Sequence, residues 1–239
     1  MRKLMVAAAL AAALAVAMGG SAGFAGPMSD AETALRGAYG HYRWALFATN
    51  TGKPDKATAE LAAFQAAWTA LGPQLAAAPQ YADDSLVPGT FAKVAELASA
   101  ASEAVTAGDM EKAHETLEGI RGEIAGLHDR NGLIGFSDRM NAYHATMETV
   151  LSMTPDQIAA DGGMEALAES TAVLAYLAGD IAAHPASDSA DVGYAPLGTA
   201  FQASVKALVD AVHSGDAAAL SKAIGELKPA YSKFFVAFG

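Results

Sequence analysis

The chain contains no cysteine. That absence excludes disulfide staples, thiolate metal centres, thiol nucleophiles and the C-x-x-C-H attachment of c-type haem. Strand-forming sequence is nearly missing too: alternation of β-branched and aromatic residues is rare, so there is little from which to build a sheet. Positive charge is scarce, with 15 Lys and Arg against 26 Asp and Glu and a formal net charge of −11. A chain this acidic is repelled by phosphate backbones and anionic lipid head groups, which argues against nucleic-acid and membrane-surface roles. No G-x-S-x-G, H-E-x-x-H, glycine-rich phosphate loop or Ser/His/Asp arrangement is readable, so the expectation is a protein without enzymatic activity.

What is present begins at the N-terminus. Arg2 and Lys3 precede an almost pure Ala/Leu/Val run from Leu4 to Met18, followed by small residues from Gly19 to Gly26. A basic start, a short apolar run and a small-residue exit describe a secretory signal peptide. The run is shorter than the ~20 residues a membrane helix needs, so cleavage is expected, after Ala25. The remaining chain of about 214 residues keeps 13 basic against 26 acidic side chains. It is expected to be periplasmic or secreted, soluble and without a membrane span. Lacking disulfides, it must be held by its core, which this length permits.

Apolar residues recur at spacings of three and four almost throughout, and alanine dominates. Eight helices are expected, near 30–49, 56–77, 90–107, 109–128, 137–152, 162–183, 197–213 and 216–237. Asp109 after Gly108 and Asp216 after Gly215 suit a helix N-cap following a helix end. Ser137-Asp138 is expected to open a helix in the same manner. Pro79, Pro88, Pro185 and Pro196 are expected to bracket two polar loops, 78–88 and 184–196.

The chain also resembles itself. Leu75-Ala-Ala-Ala-Pro79 matches Ile181-Ala-Ala-His-Pro185, and Val105-Thr-Ala-Gly-Asp109 matches Val212-His-Ser-Gly-Asp216. Ala38-Tyr39 pairs with Ala142-Tyr143, and Pro54-Asp55 with Pro155-Asp156; the four offsets are 106, 107, 104 and 101 residues. The expectation is an all-α protein of two tandem antiparallel four-helix units, 27–130 and 135–239, behind a signal peptide at 1–25. On the helix 109–128, Met110, Ala113, Leu117, Ile120, Ile124 and Leu127 form a core stripe. Gly119, Gly122 and Gly126 lie opposite, either where the second unit packs closely or on an exposed, weak helix face.

Candidate ligands concentrate in one hairpin. Five of the six methionines beyond the leader fall between 110 and 164, with His114, His128 and His144. His114 and Glu118, and His144 and Glu148, each stand one helical turn apart and could chelate an ion; nearby thioethers would favour copper over zinc or iron. Met110, His114, Met140, His144, Met147 and Glu148 are therefore the candidate metal ligands of a non-catalytic small-ligand-binding bundle. Folding the hairpin about 128–137 places Arg121 nearly opposite His144, where its charge would oppose a cation. Contact with Arg121 would favour the alternative, a structural or interaction protein that presents a helical surface to a periplasmic partner. A third reading, non-covalent haem, rests on His41 in a seam of Ala34, Ala38, Ala45 and Ala48. The loop acids Asp83-Asp84 and Asp188 read as solvated turns, and His184 as a helix-end cap.

Overall fold

The structure is a computed structural model and describes residues 27–239; the leader and its cleavage site lie outside the described residues. Among the described residues the chain is all-α, with ten helices and no strand. The long helices are α1 (Pro27–Asn50), α2 (Pro54–Ala77), α4 (Val87–Thr106), α5 (Met110–Arg130), α6 (Phe136–Ser152), α8 (Gly163–Ala183), α9 (Tyr194–Ser214) and α10 (Ala217–Phe238). Two short helices were not expected: α3 (Pro79–Ala82) lies in the segment read as a loop, and α7 (Pro155–Ala159) in the gap between two expected helices.

Helix ends follow side-chain chemistry. The Asp109 carboxylate accepts the Lys112 N–H, and Asp216 accepts those of Ala218 and Ala219, so both act as N-caps. Gly108 and Gly215 have φ of 80° and 66°, a left-handed conformation that side chains disfavour. The prolines act differently from the sequence reading. Pro79, Pro88 and Pro196 sit within the first turns of α3, α4 and α9, where a missing N–H loses no helical hydrogen bond. α6 also starts earlier than expected: Gly135 is its N-cap, and Asp138 reaches back to accept the Gly135 N–H at 2.7 Å.

Helices α1, α2, α4 and α5 pack in a ring, as do α6, α8, α9 and α10, and α1 lies against α10 where the rings meet. Tyr42, Phe64 and Trp68 fill the first ring and Tyr143, Phe201 and Phe234 the second, all buried. Burying each such side chain stabilises the fold by about 1.5–3 kcal/mol. On α5, Ala113, Leu117, Ile120, Ile124 and Leu127 are buried and Met110 partly so. The glycines opposite do not receive the second ring. A Cβ on Gly119 would meet the Leu97 side chain of α4 at 3.2 Å, whereas one on Gly122 would meet nothing within 4 Å. Among the described residues α8 alone is long and apolar enough to span a membrane by length and composition. Here it buries Leu167, Leu174, Ala178 and Ile181 and exposes Val173 and Tyr176.

Candidate functional site: the seam between the two helix sets

Four helices meet at the seam, α1 and α5 from one set, α6 and α10 from the other. Side-chain pairs set their directions. His114 meets Thr49 and His128 faces Glu32, so α5 runs antiparallel to α1. Arg121 meets His144 and His128 meets Asp138, so α6 runs antiparallel to α5. Chain reversal thus brings charged edges of remote segments into one buried strip.

Arg121 occupies the middle of this strip and is only 9% exposed. Its Nη1 donates to His144 Nδ1 at 2.7 Å and lies 3.0 Å from Glu118 Oε2. The guanidinium also stacks over the Phe235 ring, 5.3 Å from its centroid. Because a guanidinium can only donate, His144 Nδ1 must accept, and the imidazole is neutral with its proton on Nε2. Burial, reinforced by the Arg121 charge, pushes the His144 pKa down to about 4. The Nε2–H faces Glu148 Oε1 at 3.4 Å, and Lys228 of α10 donates to the same carboxylate at 3.1 Å.

The six candidate metal ligands do not converge. Met140 and Met147 are fully buried core residues, and Met110 packs at the core edge. His114 Nδ1 lies 3.2 Å from the Leu46 carbonyl, which can only accept, so that nitrogen carries a proton. His144 has no free lone pair while Arg121 is in place. Among the described residues no three His, Asp or Glu side chains come close enough to hold a metal ion. His41 is not enclosed either: its Nδ1 bonds Glu60 at 2.7 Å and its side chain is 45% exposed. The alanine seam beside it is packed rather than open: Ala38, Ala45 and Ala48 are fully buried and Ala34 lies against the core.

A second polar cluster closes the other end of the seam. His128 of α5 is buried, with Nδ1 2.6 Å from Asp138 of α6 and Nε2 3.6 Å from Glu32 of α1. Tyr81 of α3 donates its hydroxyl to the same Glu32. Burial pushes the His128 pKa down, but the Asp138 hydrogen bond and charge, with Glu32, outweigh it and hold it above the ordinary imidazole value. His128 and Glu32 together thus tie four elements, α1, α3, α5 and α6.

Beside this cluster lies a recess of about 330 Å³. Leu35, Phe136 and Phe238 give it apolar walls; Glu32, Arg36, Arg43 and Asp188 supply charge of both signs. Gly37 also lines it, and a Cβ there would meet nothing within 4 Å. The arginines are notable for what they do not touch. Arg121, Arg130 and Arg139 each hold a carboxylate, those of Glu118, Asp84 and Asp180. Arg36 and Arg43 have no carboxylate within 4.0 Å among the described residues. Arg36 bonds the Thr33 hydroxyl, and Arg43 donates to the Phe235 carbonyl at 3.2 Å while its buried Nε has no partner.

These parts define an all-α protein of two helix rings with charged side chains trapped between them and a recess at one end of the join. Comparison with protein families, with curated proteins and with solved structures found no match.

Sequence spacing indicated the Arg121–His144 contact but missed the recess. Glu32 and Arg36 come from α1, about 100 residues or more from α6 and α10, and Asp188 from the turn between α8 and α9, so no local pattern joins them. Asp138 was visible only as a helix-start residue. Asp84, read as a solvated turn, instead accepts hydrogen bonds from Leu86, Arg130 and Asn131 and fastens the end of α5. His184 does cap a helix end, through the Asp180 carbonyl.

Proposed function

We propose that this is an exported, non-catalytic binding protein that holds a small organic molecule in the recess at the seam. The observation that carries the reading is the recess itself. Its volume falls at the lower end of the roughly 300–1,000 Å³ of small-ligand sites. It lies between two packed units, where such sites concentrate, and it combines apolar walls with a few charged groups. An organic ligand is better supported than copper, zinc or iron because Arg121 occupies His144 Nδ1 and, among the described residues, no three His, Asp or Glu side chains converge.

In this reading the two rings descend from one duplicated unit. The spacing that relates Asp109 to Asp216 also carries Leu117, Ile120, Ile124 and Leu127 onto Ile224, Leu227, Tyr231 and Phe234, all buried or partly buried. It carries Arg121 onto Lys228, and both basic groups serve the seam.

The test is a protein-observed NMR titration of the chain lacking residues 1–25 against free amino acids, small carboxylates, amines and monosaccharides. Binding should shift the Tyr39, Phe136 and Phe238 resonances together. A panel that leaves all three unmoved contradicts the reading. A second reading, an interaction protein, is favoured by the Arg121–His144 contact and by the outer face of α8. Val173 and Tyr176 there are 47% and 74% exposed. Capture of a partner protein that masks Tyr176, with no ligand in the recess, would select it.

A further inference from the structure

An acidic protein should leave few arginines without a carboxylate. Here the acidic side chains outnumber the basic ones, yet neither Arg36 nor Arg43 has a carboxylate within 4.0 Å among the described residues, Asp188 acting on Arg43 only at longer range, and both face the same recess. They stand two helical turns apart on α1, about 10 Å along its axis, on one face of the helix. Two long guanidinium side chains at that spacing can reach a common point between them. The Arg43 Nε is buried and unsatisfied, a condition that costs free energy unless an acceptor arrives. Guanidinium groups match carboxylate oxygens in pairs, so the missing acceptor has the chemistry of a carboxylate.

The opposite sign is present as well. Asp188, in the turn between α8 and α9, lines the recess and has no Lys, Arg or His within 4.0 Å among the described residues. Glu32, the other acid of the lining, is already engaged by Tyr81 and His128. Leu35, Phe136 and Phe238 provide an apolar surface beside these charges. We infer that the recess selects a small zwitterion of the amino-acid class, with its carboxylate between Arg36 and Arg43, its ammonium towards Asp188 and an apolar side chain against Phe136 and Phe238. This rests on the recess being the ligand site. A volume of about 330 Å³ has room for a single free amino acid such as leucine or phenylalanine.

Calorimetric titration with L-leucine and L-phenylalanine, set beside their N-acetyl and carboxamide derivatives, tests the assignment. The free amino acids should bind, and each derivative, lacking one charge, should bind about tenfold or more weakly. Arg36 is exposed, so Arg36→Gln should leave the melting temperature unchanged. It should weaken the free amino acid about tenfold while barely altering the carboxamide, which offers it no carboxylate. Equal affinity for free and capped forms, or no effect of Arg36→Gln, overturns the zwitterion assignment. If monosaccharides or amines shift the recess resonances while amino acids do not, the assignment fails and the ligand site stands. If nothing shifts them, both fail.

Discussion

Replacing His144 by glutamine isolates the electrical cost of burying an imidazole against Arg121. In the unfolded chain His144 takes up its proton near the ordinary value of about 6.5. In the fold it does so only at about 4, because burial and the Arg121 charge both oppose a second cation. Between those values the unfolded state binds more protons, so stability is present above pH 6.5 and is lost as pH falls towards 4. A gap of about 2.5 pH units at roughly 1.4 kcal/mol per unit amounts to on the order of 3 kcal/mol. Glutamine can still offer Arg121 an amide oxygen, and it does not titrate. Urea unfolding of both proteins from pH 4 to 8 is the assay. The two should have similar stability at pH 7, and the variant should retain about 3 kcal/mol more at pH 4. Carboxylates that protonate over the same range do so in both proteins, so the difference curve belongs to His144. Parallel curves, or greater acid sensitivity in the variant, would refute the role assigned to Arg121.

Three further outcomes follow from other parts of the structure. His128 titrates in the opposite sense: its raised folded pKa gives stability that is complete below about pH 6.5 and is lost as pH rises through the folded value. Asp138→Asn should remove that alkaline decline and lower stability at pH 6 by about 1.5–3 kcal/mol, read by the same urea series. Met140→Leu and Met147→Leu should each cost less than about 1.5 kcal/mol and leave any uptake of Cu(I) unchanged, since both side chains are core filling. Asp216→Ala, which frees the Ala218 and Ala219 N–H groups, should cost about 1 kcal/mol in thermal or urea unfolding.

The helices were legible because their buried residues repeat at helical spacing and their ends carry Asp or Gly; α5 and α10 show both. The short helices α3 and α7 were not, since four or five residues are too few to display a period and proline masked their starts. Arg121 opposite His144 could be read because a hairpin between adjacent helices fixes which residues face each other. The rest of the seam could not. His128 needed Glu32 from α1, and Arg43 needed Phe235 from α10, contacts set by how two rings dock rather than by local sequence. The methionines misdirected the site search for a physical reason. Thioethers serve equally as soft ligands and as apolar filling, and at the core-facing positions 140 and 147 they are filling.

The claim that the seam recess is where this protein binds its ligand is tested most directly at Gly37. Gly37 lines the recess and a Cβ there meets no atom within 4 Å, so Gly37→Leu should intrude on the cavity without a clash at the Cβ. The measurement is the NMR titration of Gly37→Leu with the amino acids, carboxylates, amines and monosaccharides used on the parent protein. The account predicts that the shifts at Tyr39, Phe136 and Phe238 on addition of a binder disappear while the melting temperature is held or raised. Undiminished binding by Gly37→Leu would contradict it.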